Sequence, residues 1–253
     1  TLRPLRPRTD RVADWSAWIG REERRSDRID PAAHRRWLAT FDREPPPGDA
    51  AAQGYHWCQC LPDAPTAALG EGGHPPRANS PESFLPPVPQ PRRMWAASKV
   101  EFLGSLHVGD AVQRDSRVIS VTQKIGSTGP LAFVDVSHET RGPRGLVVRE
   151  VQSLVYRDPP PPGSPPGSPP LEDAEFDPWS WDVHRAIVPD EALLFRFSAL
   201  TFNSHRIHYD RPYATGVEGY RGLVVHGPLI ATLLLDLPRR ELGDNALGAF
   251  AFR

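Results

Sequence analysis

Lysine, cysteine and methionine are nearly missing from this chain of 253 residues, and each shortage narrows what it can be. Lys99 and Lys124 are its lysines, so arginine carries almost all positive charge, and the formal net charge is −1. Without a basic excess to neutralise phosphates, the composition argues against a nucleic-acid partner. Cys58 and Cys60 stand in a C-x-C spacing too short for an ordinary disulfide, and no second ligand pair completes a zinc site. Plain thiols and no metal are expected, and His107, His138 and His184 add no metal-ligand spacing. Long apolar runs are also lacking. The longest, Leu223 to Leu235, is interrupted by His226 and Pro228 and is too short to span a bilayer. The opening Thr-Leu-Arg-Pro-Leu-Arg-Pro-Arg has neither an initiator Met nor an apolar h-region, so no secretory signal is read. A soluble, cytoplasmic protein without a membrane partner is expected.

Proline is abundant, with 30 residues beside 39% hydrophobic and 24% charged content. That composition is globular, and the length fits one large domain or two of about 100–150 residues. Residues 10–45 read as helical. Trp15, Trp18 and Ile19 fall at helical spacing, Asp30-Pro31 supplies an N-cap and Pro at N1, and Trp37 and Phe41 lie four apart. The Arg/Glu-rich 21–28 run then reads as a solvated face. Residues 54–93 read as Pro/Gly-rich loop with one short strand near Tyr55 and Trp57. Four β-branched runs follow, Trp95 to Phe102, Gly109 to Val121, Leu131 to His138 and Leu146 to Tyr156, separated by turn signals. They predict four half-buried antiparallel strands with a helix packed on them, an α+β arrangement.

Asp158 to Pro170 is a Pro/Gly/Ser tract expected to be an extended linker. Beyond it the pattern predicts an opening strand over Phe176 to Phe197, a histidine-rich loop, an apolar helix from Gly227 to Leu237 and a strand from Ala249. The pattern breaks off at Arg253. The second unit is therefore expected to be truncated, its helix exposing about ten apolar residues without its sheet.

Chemistry concentrates in that loop. Leu200 to Ala214 holds Asn203, His205, His208, Tyr209 and Asp210, and Val224-Val-His-Gly-Pro228 follows. Adding water to an α,β-unsaturated thioester, or removing it from a 3-hydroxyacyl thioester, needs three elements. A base moves the proton, a second polar group holds the water, and donors stabilise the enolate. Histidine suits the first because its ordinary pKa lies near neutrality. An amide such as Asn203 can donate to and accept from water but cannot take a proton. The N–H groups opening the 227–237 helix, with its dipole, suit the third.

Asn203-x-His-x-Ile-His208, with Ala214 six positions on, resembles the signature of MaoC-type (R)-specific enoyl-CoA hydratases and dehydratases. Pro91-Arg-Arg-Met-Trp-Ala-Ala97 and Gly129-Pro-Leu-Ala-Phe-Val-Asp-Val-Ser-His-Glu139 resemble the first repeat of a two-repeat subgroup. That subgroup includes mitochondrial-type 3-hydroxyacyl thioester dehydratases and mesaconyl-C4-CoA hydratases. The resemblance implies a double hotdog, each repeat a long helix wrapped by a curved antiparallel sheet. Residues 1–157 would be a degenerate, non-catalytic repeat, 158–170 the linker and 171–253 the incomplete catalytic repeat, the two forming an internal pseudo-dimer.

The resemblance places His208 on the catalytic histidine and Gly227 on the glycine whose amide forms the oxyanion hole. One departure stands out: Asn203 occupies the aspartate position, and His205-Arg206 replaces Asn-Pro. His208 is then expected to carry proton transfer alone, oriented by Asp210 or His205. His205, Arg206, Tyr209, Val225 and His226 are expected around the substrate. Arg211 and Arg221 are further candidates for its phosphates or carboxylate, while Tyr209 and Tyr213 also fit packing roles.

The implied activity is a hydro-lyase of an enoyl or 3-hydroxyacyl thioester, with a short-chain or C4-dicarboxylic, mesaconyl-like acyl group. The partner is a small acyl-CoA or acyl-carrier-protein thioester, no dissociable cofactor is needed, and a homodimer is compatible. Two other readings compete. A hotdog acyl-CoA thioesterase would want a carboxylate where Asn203 stands, and a non-catalytic acyl-binding module or inactive fragment would need no base.

Overall fold

The computed structural model describes residues 14–75, 80–126, 129–159 and 177–253. Its centre is an antiparallel run of β2 (Arg92–Phe102), β3 (Ala111–Gly126), β4 (Gly129–Gly142) and β5 (Gly145–Arg157). These are the four expected strands, with bounds shifted: β2 starts three residues earlier, β3 runs from 111 to 126 rather than 109 to 121, and β4 and β5 extend at both ends. Period-two alternation explains why they form: Ala132, Val134 and Val136 of β4 all point into the core. Two edge strands complete the sheet, β1 (Glu22–Arg28) and β6 (Ala249–Phe252), in the order β1-β3-β4-β5-β2-β6. The expected strand at Ala249 is β6, which pairs with β2 from Ser98 opposite Phe252 to Glu101 opposite Ala249.

Three expectations change. Residues 10–45 are not continuously helical: in the described part a 3-10 turn (Ser16–Trp18) and β1 precede the helix α1 (Pro31–Thr40). The Arg/Glu-rich run is β1 itself, paired to β3 with Glu22 opposite Arg117. A strand charged on both faces suits a sheet edge, where it discourages further pairing. The helix start was correctly signalled, because the Asp30 side chain accepts from the Ala33 N–H at 2.6 Å. Near Tyr55 and Trp57 the chain forms a 3-10 turn (Tyr55–Cys58) rather than a strand.

The expected strand over 176–197 is also absent from its described part, which ends in the helix α2 (Glu191–Leu200). Asp190 caps α2 by accepting from Leu193 N–H at 2.8 Å, and Leu194, Phe197 and Ser198 are buried at helical spacing. Apolar density had hidden that period. A short helix α3 (Arg211–Gly216) and the long α4 (Gly227–Leu242) follow. The linker expected over 158–170 lies outside the described residues from 160 onward.

α4 does not stand unsupported. It buries Leu229, Ala231, Thr232, Leu235 and Asp236. Leu229 joins a core cluster with Trp37, Phe41, Tyr55, Val100, Val147 and Phe197, so the helix docks on the first unit. A fully buried side chain of this kind contributes about 1.5–3 kcal/mol. Ile230, Leu234 and Leu242 stay exposed. Charge ties the same junction. Asp236, at 1% exposure, accepts from Arg185 at 2.7 Å, Arg239 at 2.7 Å and Arg240 at 2.8 Å, and Arg43 lies 3.7 Å away.

A second cluster of Trp15, Val88, Val118, Val134, Val136, Leu154 and Tyr156 fills the other end of the sheet. Cys58 and Cys60 are both free and buried, and burial pushes the Cys58 thiol up to about 12. Among the described residues no helix is long and apolar enough to cross a membrane.

Candidate active site

The loop between α2 and α4 is positioned by backbone geometry first. Phe202 takes a left-handed φ of 48°, which turns the chain sharply out of α2. The Asn203 N–H then reaches back to the Ser198 carbonyl at 2.9 Å and the Phe202 N–H to that of Ala199 at 3.4 Å, a Schellman ending. Asn203 immediately starts the next turn, its Oδ1 accepting from the His205 N–H at 3.0 Å. A 3-10 turn (Arg206–His208) follows, and Asp210 caps α3 by accepting from the Tyr213 N–H at 3.0 Å.

His208 is buried at 7% exposure, and its Nδ1 lies 2.7 Å from the Val224 carbonyl oxygen. A carbonyl only accepts, so Nδ1 carries the proton and Nε2 is the basic nitrogen. The ring stacks on His226 with centroids 3.6 Å apart and planes 19° from parallel. His226 is the N-cap residue of α4 and directly precedes Gly227. The first-turn N–H groups of a helix have no intrahelical acceptor. A Cβ on Gly227 would meet only the Trp95 carbonyl oxygen, at 4.0 Å, among the described atoms. The structure thus brings His208 and the Gly227 end of α4 together across one stacked ring.

Electrostatics keep this cluster neutral. Burial lowers the His208 pKa, and the bond to Val224 opposes it. Burial and His208 push His226 down to about 3, and burial with the neighbouring His74 pushes His205 to about 3. Imidazoles this close in a dry site resist sharing positive charge.

The expected orienting partners of His208 are corrected. Asp210 is spent on capping α3 and on Arg206, whose Nε and Nη2 donate to it at 3.0 and 2.7 Å. His205 presents its ring edge-on 5.5 Å from His208 and packs 3.7 Å from His74. Orientation comes from the Val224 carbonyl instead. Arg206 is fully engaged: its guanidinium also donates to the Glu71 carbonyl at 3.2 Å and lies 4.0 Å over the Tyr213 ring. Tyr209 is exposed rather than packed, its hydroxyl donating to the Ser204 carbonyl at 3.1 Å. Val225 packs against the core. His226, at 1% exposure, has Nε2 2.8 Å from Ser198 Oγ, and its Nδ1 has no partner. Arg211 sits on the surface, paired with Glu191 at 3.1 Å.

Sequence reasoning missed what the first unit adds to this loop. The Gly72 carbonyl accepts from Arg206 N–H at 2.9 Å, and the Gly73 carbonyl accepts from Ser204 Oγ at 2.6 Å. The only signal was the Glu-Gly-Gly-His74 cluster, hidden in a segment read as plain loop. Ser198 was missed because it lies just past what was read as a strand, on a helix that the reading did not contain.

A MaoC-like dehydratase of known structure matches this fold with a TM-score of 0.64, covering 94% of this chain and 82% of that one at 14% identity. That likeness shows the fold, the hotdog architecture of the MaoC-like dehydratases. The hydroxyacyl-thioester dehydratase type 2 family matches residues 54–253, and the chain belongs to it. Mesaconyl-C(4)-CoA hydratase of Chloroflexus aurantiacus is 45% identical over 249 residues, spanning 95% of this chain and 84% of that protein. The mitochondrial hydroxyacyl-thioester dehydratase type 2 of Schizosaccharomyces pombe is 26% identical over 208 residues, 72% of this chain and 65% of its own length.

Proposed function

We propose that this chain reversibly adds water to a C4-dicarboxylic enoyl-CoA of the mesaconyl type, with His208 as the proton-transfer group. Its family and its 45% identity to a mesaconyl-C(4)-CoA hydratase make it a hydratase/dehydratase lyase acting on acyl-CoA. The observation that carries the site assignment is the buried His208 ring, held through Nδ1 so that Nε2 is basic, one stacked imidazole from Gly227.

In the hydration direction His208 Nε2 takes a proton from water while the hydroxide oxygen bonds the β-carbon. The electron pair moves to the thioester oxygen, where the Gly227 N–H receives the developing charge. The protonated imidazole then returns its proton to the α-carbon. Asn203 has its Oδ1 committed to His205, so its Nδ2 is the part free to donate to the water oxygen. His205, Arg206, Tyr209, Val225 and His226 shape the loop around this centre. No cofactor enters, because the thioester itself acidifies the α-proton.

The same proposal divides the chain into a non-catalytic repeat over 1–157, a linker over 158–170 and a catalytic repeat over 171–253. It includes a cytoplasmic homodimer, supported by the exposed line of Ile230 and Leu234 on α4.

The test is incubation with mesaconyl-CoA and crotonyl-CoA while enoyl absorbance and free thiol are followed. Absorbance loss without thiol is expected, with His208→Ala reducing the rate about 10²–10⁴-fold. Because burial holds the His208 pKa below the ordinary 6.5, the acid limb of the rate profile should lie under pH 6.5. Thiol release would instead indicate a thioesterase, and no change in either signal a non-catalytic module.

A further inference from the structure

Position 150 lies in mid-β5 on the face that carries Val148, Leu154 and Tyr156 into the core, yet it is a carboxylate at 5% exposure. Burying such a group costs several kcal/mol unless its oxygens are bonded and its charge is met. The oxygens are bonded, and two imidazoles face the charge. Trp57 Nε1 donates to one oxygen at 3.0 Å and Ser98 Oγ donates to the other. His56 Nε2 lies 3.8 Å away, and His138 stands opposite on β4. Burial pushes the Glu150 pKa up, but His56, His138 and Ser98 outweigh it and keep the group ionised.

The hydroxyl of Ser98 passes this clamp on, because it also accepts from Trp95 Nε1 at 2.8 Å, an N–H it shares with the Ala97 carbonyl at 3.0 Å. Trp95 sits at a β-bulge, where its register against β5 shifts before Ala97. Bulges next to active sites commonly re-aim a side chain. Here the bulge puts the Trp95 carbonyl beside Gly227. The indole makes an edge-to-face trio with Trp57, at 5.5 Å, and Phe252, at 5.3 Å. All three rings are only half-buried. They form an apolar wall whose Trp95 backbone lies beside Gly227, at the start of α4.

We propose that Glu150 is a positioning residue that sets acyl-group selectivity, clamping Trp57 directly and Trp95 through Ser98 so that the wall meets the branch of the acyl chain. This rests on the hydratase reading of the His208 site. A methyl group in a fitted apolar pocket is worth roughly 10–200-fold in discrimination, so a loosened wall has a measurable consequence.

The experiment compares kcat/KM for methyl-branched mesaconyl-CoA with that for fumaryl-CoA, which lacks only the methyl, in the purified full chain. That ratio does not depend on the folded fraction, so a purely structural role leaves it unmoved. Glu150→Leu should change the ratio by about 5–20-fold, and Ser98→Ala, which keeps the carboxylate, should move it about threefold or more in the same direction. Glu150→Gln retains an acceptor for Trp57 and should stay within about twofold of the parent.

Should Glu150→Leu not fold, Ser98→Ala decides. A ratio unchanged in Ser98→Ala, or Glu150→Gln as altered as Glu150→Leu, overturns the proposal. If the parent protein hydrates neither thioester, the lyase reading fails on its own. The wall is then read by tryptophan quenching with saturated methylsuccinyl-CoA against succinyl-CoA. A preference that shifts in Ser98→Ala supports it, and an unshifted one overturns it.

Discussion

At Asn203 the side-chain carbonyl is committed to the His205 N–H, so substitutions there separate the shape of the loop from its chemistry. Asn203→Ala loses both the turn acceptor and the water donor. It should cost about 1–3 kcal/mol of barrier, roughly 5- to 150-fold in kcat. Asn203→Asp keeps the acceptor but adds a negative charge near His208. That charge favours the imidazolium and should move the acid limb of the rate profile to higher pH. A pH–rate profile of both variants checks this, and an Asn203→Ala enzyme with full activity would remove Asn203 from the site.

His208 itself was legible in the chain, because its spacing to Ala214 and to Gly227 is a pattern of residue types. Its orienting group was not, since the Val224 carbonyl belongs to the backbone and carries no residue-type signal. Asp210 looked better suited by chemistry, yet the open N-terminus of α3 and Arg206 claim it.

Between elements, the catalytic loop depends on a clamp from the first unit. Gly73 has φ of 79°, and a Cβ there would fall 2.0 Å from the Ser204 carbonyl oxygen, a clash with backbone that cannot rotate away. Gly73→Ala should push the 70–74 segment off the histidine loop, loosening the Gly72–Arg206 and Gly73–Ser204 bonds. A strained backbone of this kind costs about 1–3 kcal/mol, and kcat/KM should fall at least about tenfold. Unchanged kinetics would mean the clamp is dispensable. The strand wrongly read before the loop belongs to the same scale. Leu193, Leu194, Phe195 and Phe197 are dense enough to mask a 3.6-residue period, and only the Asp190 cap betrays the helix.

Across the whole molecule, stability should follow two buried charge devices with different pH windows. Asp236 has its pKa held low: burial raises it, but Arg239 and Arg240 outweigh that. Its contribution is present above the unfolded value near 3.8 and is lost as pH falls through the lower folded value. His226 acts at higher pH. The folded ring refuses a proton down to about 3, whereas the unfolded ring binds one below 6.5. Stability should therefore decline from pH 6.5 downward by up to about 1.4 kcal/mol per pH unit. Asp236→Ala leaves Arg43 with Asp244 alone, at 3.1 Å, and removes the acceptor shared by Arg185, Arg239 and Arg240, so it should cost up to about 3–5 kcal/mol in urea unfolding. It should also reduce the loss below about pH 3.8 while leaving the decline that begins at 6.5.

Local chemistry in the chain was enough to dictate the four central strands, the capped start of α1 and the apolar α4. Each of those is set by periodicity or by a side chain acting on its own neighbours. Long-range packing alone decided that a charged run becomes an edge strand and that α4 docks on the first unit's core. It alone also brought Gly73 to the distant histidine loop, the Trp95 carbonyl to Gly227 and Glu150 to Trp57 and Ser98. Such pairings depend on which surfaces meet once backbone groups and buried charges find partners, and no local pattern encodes that.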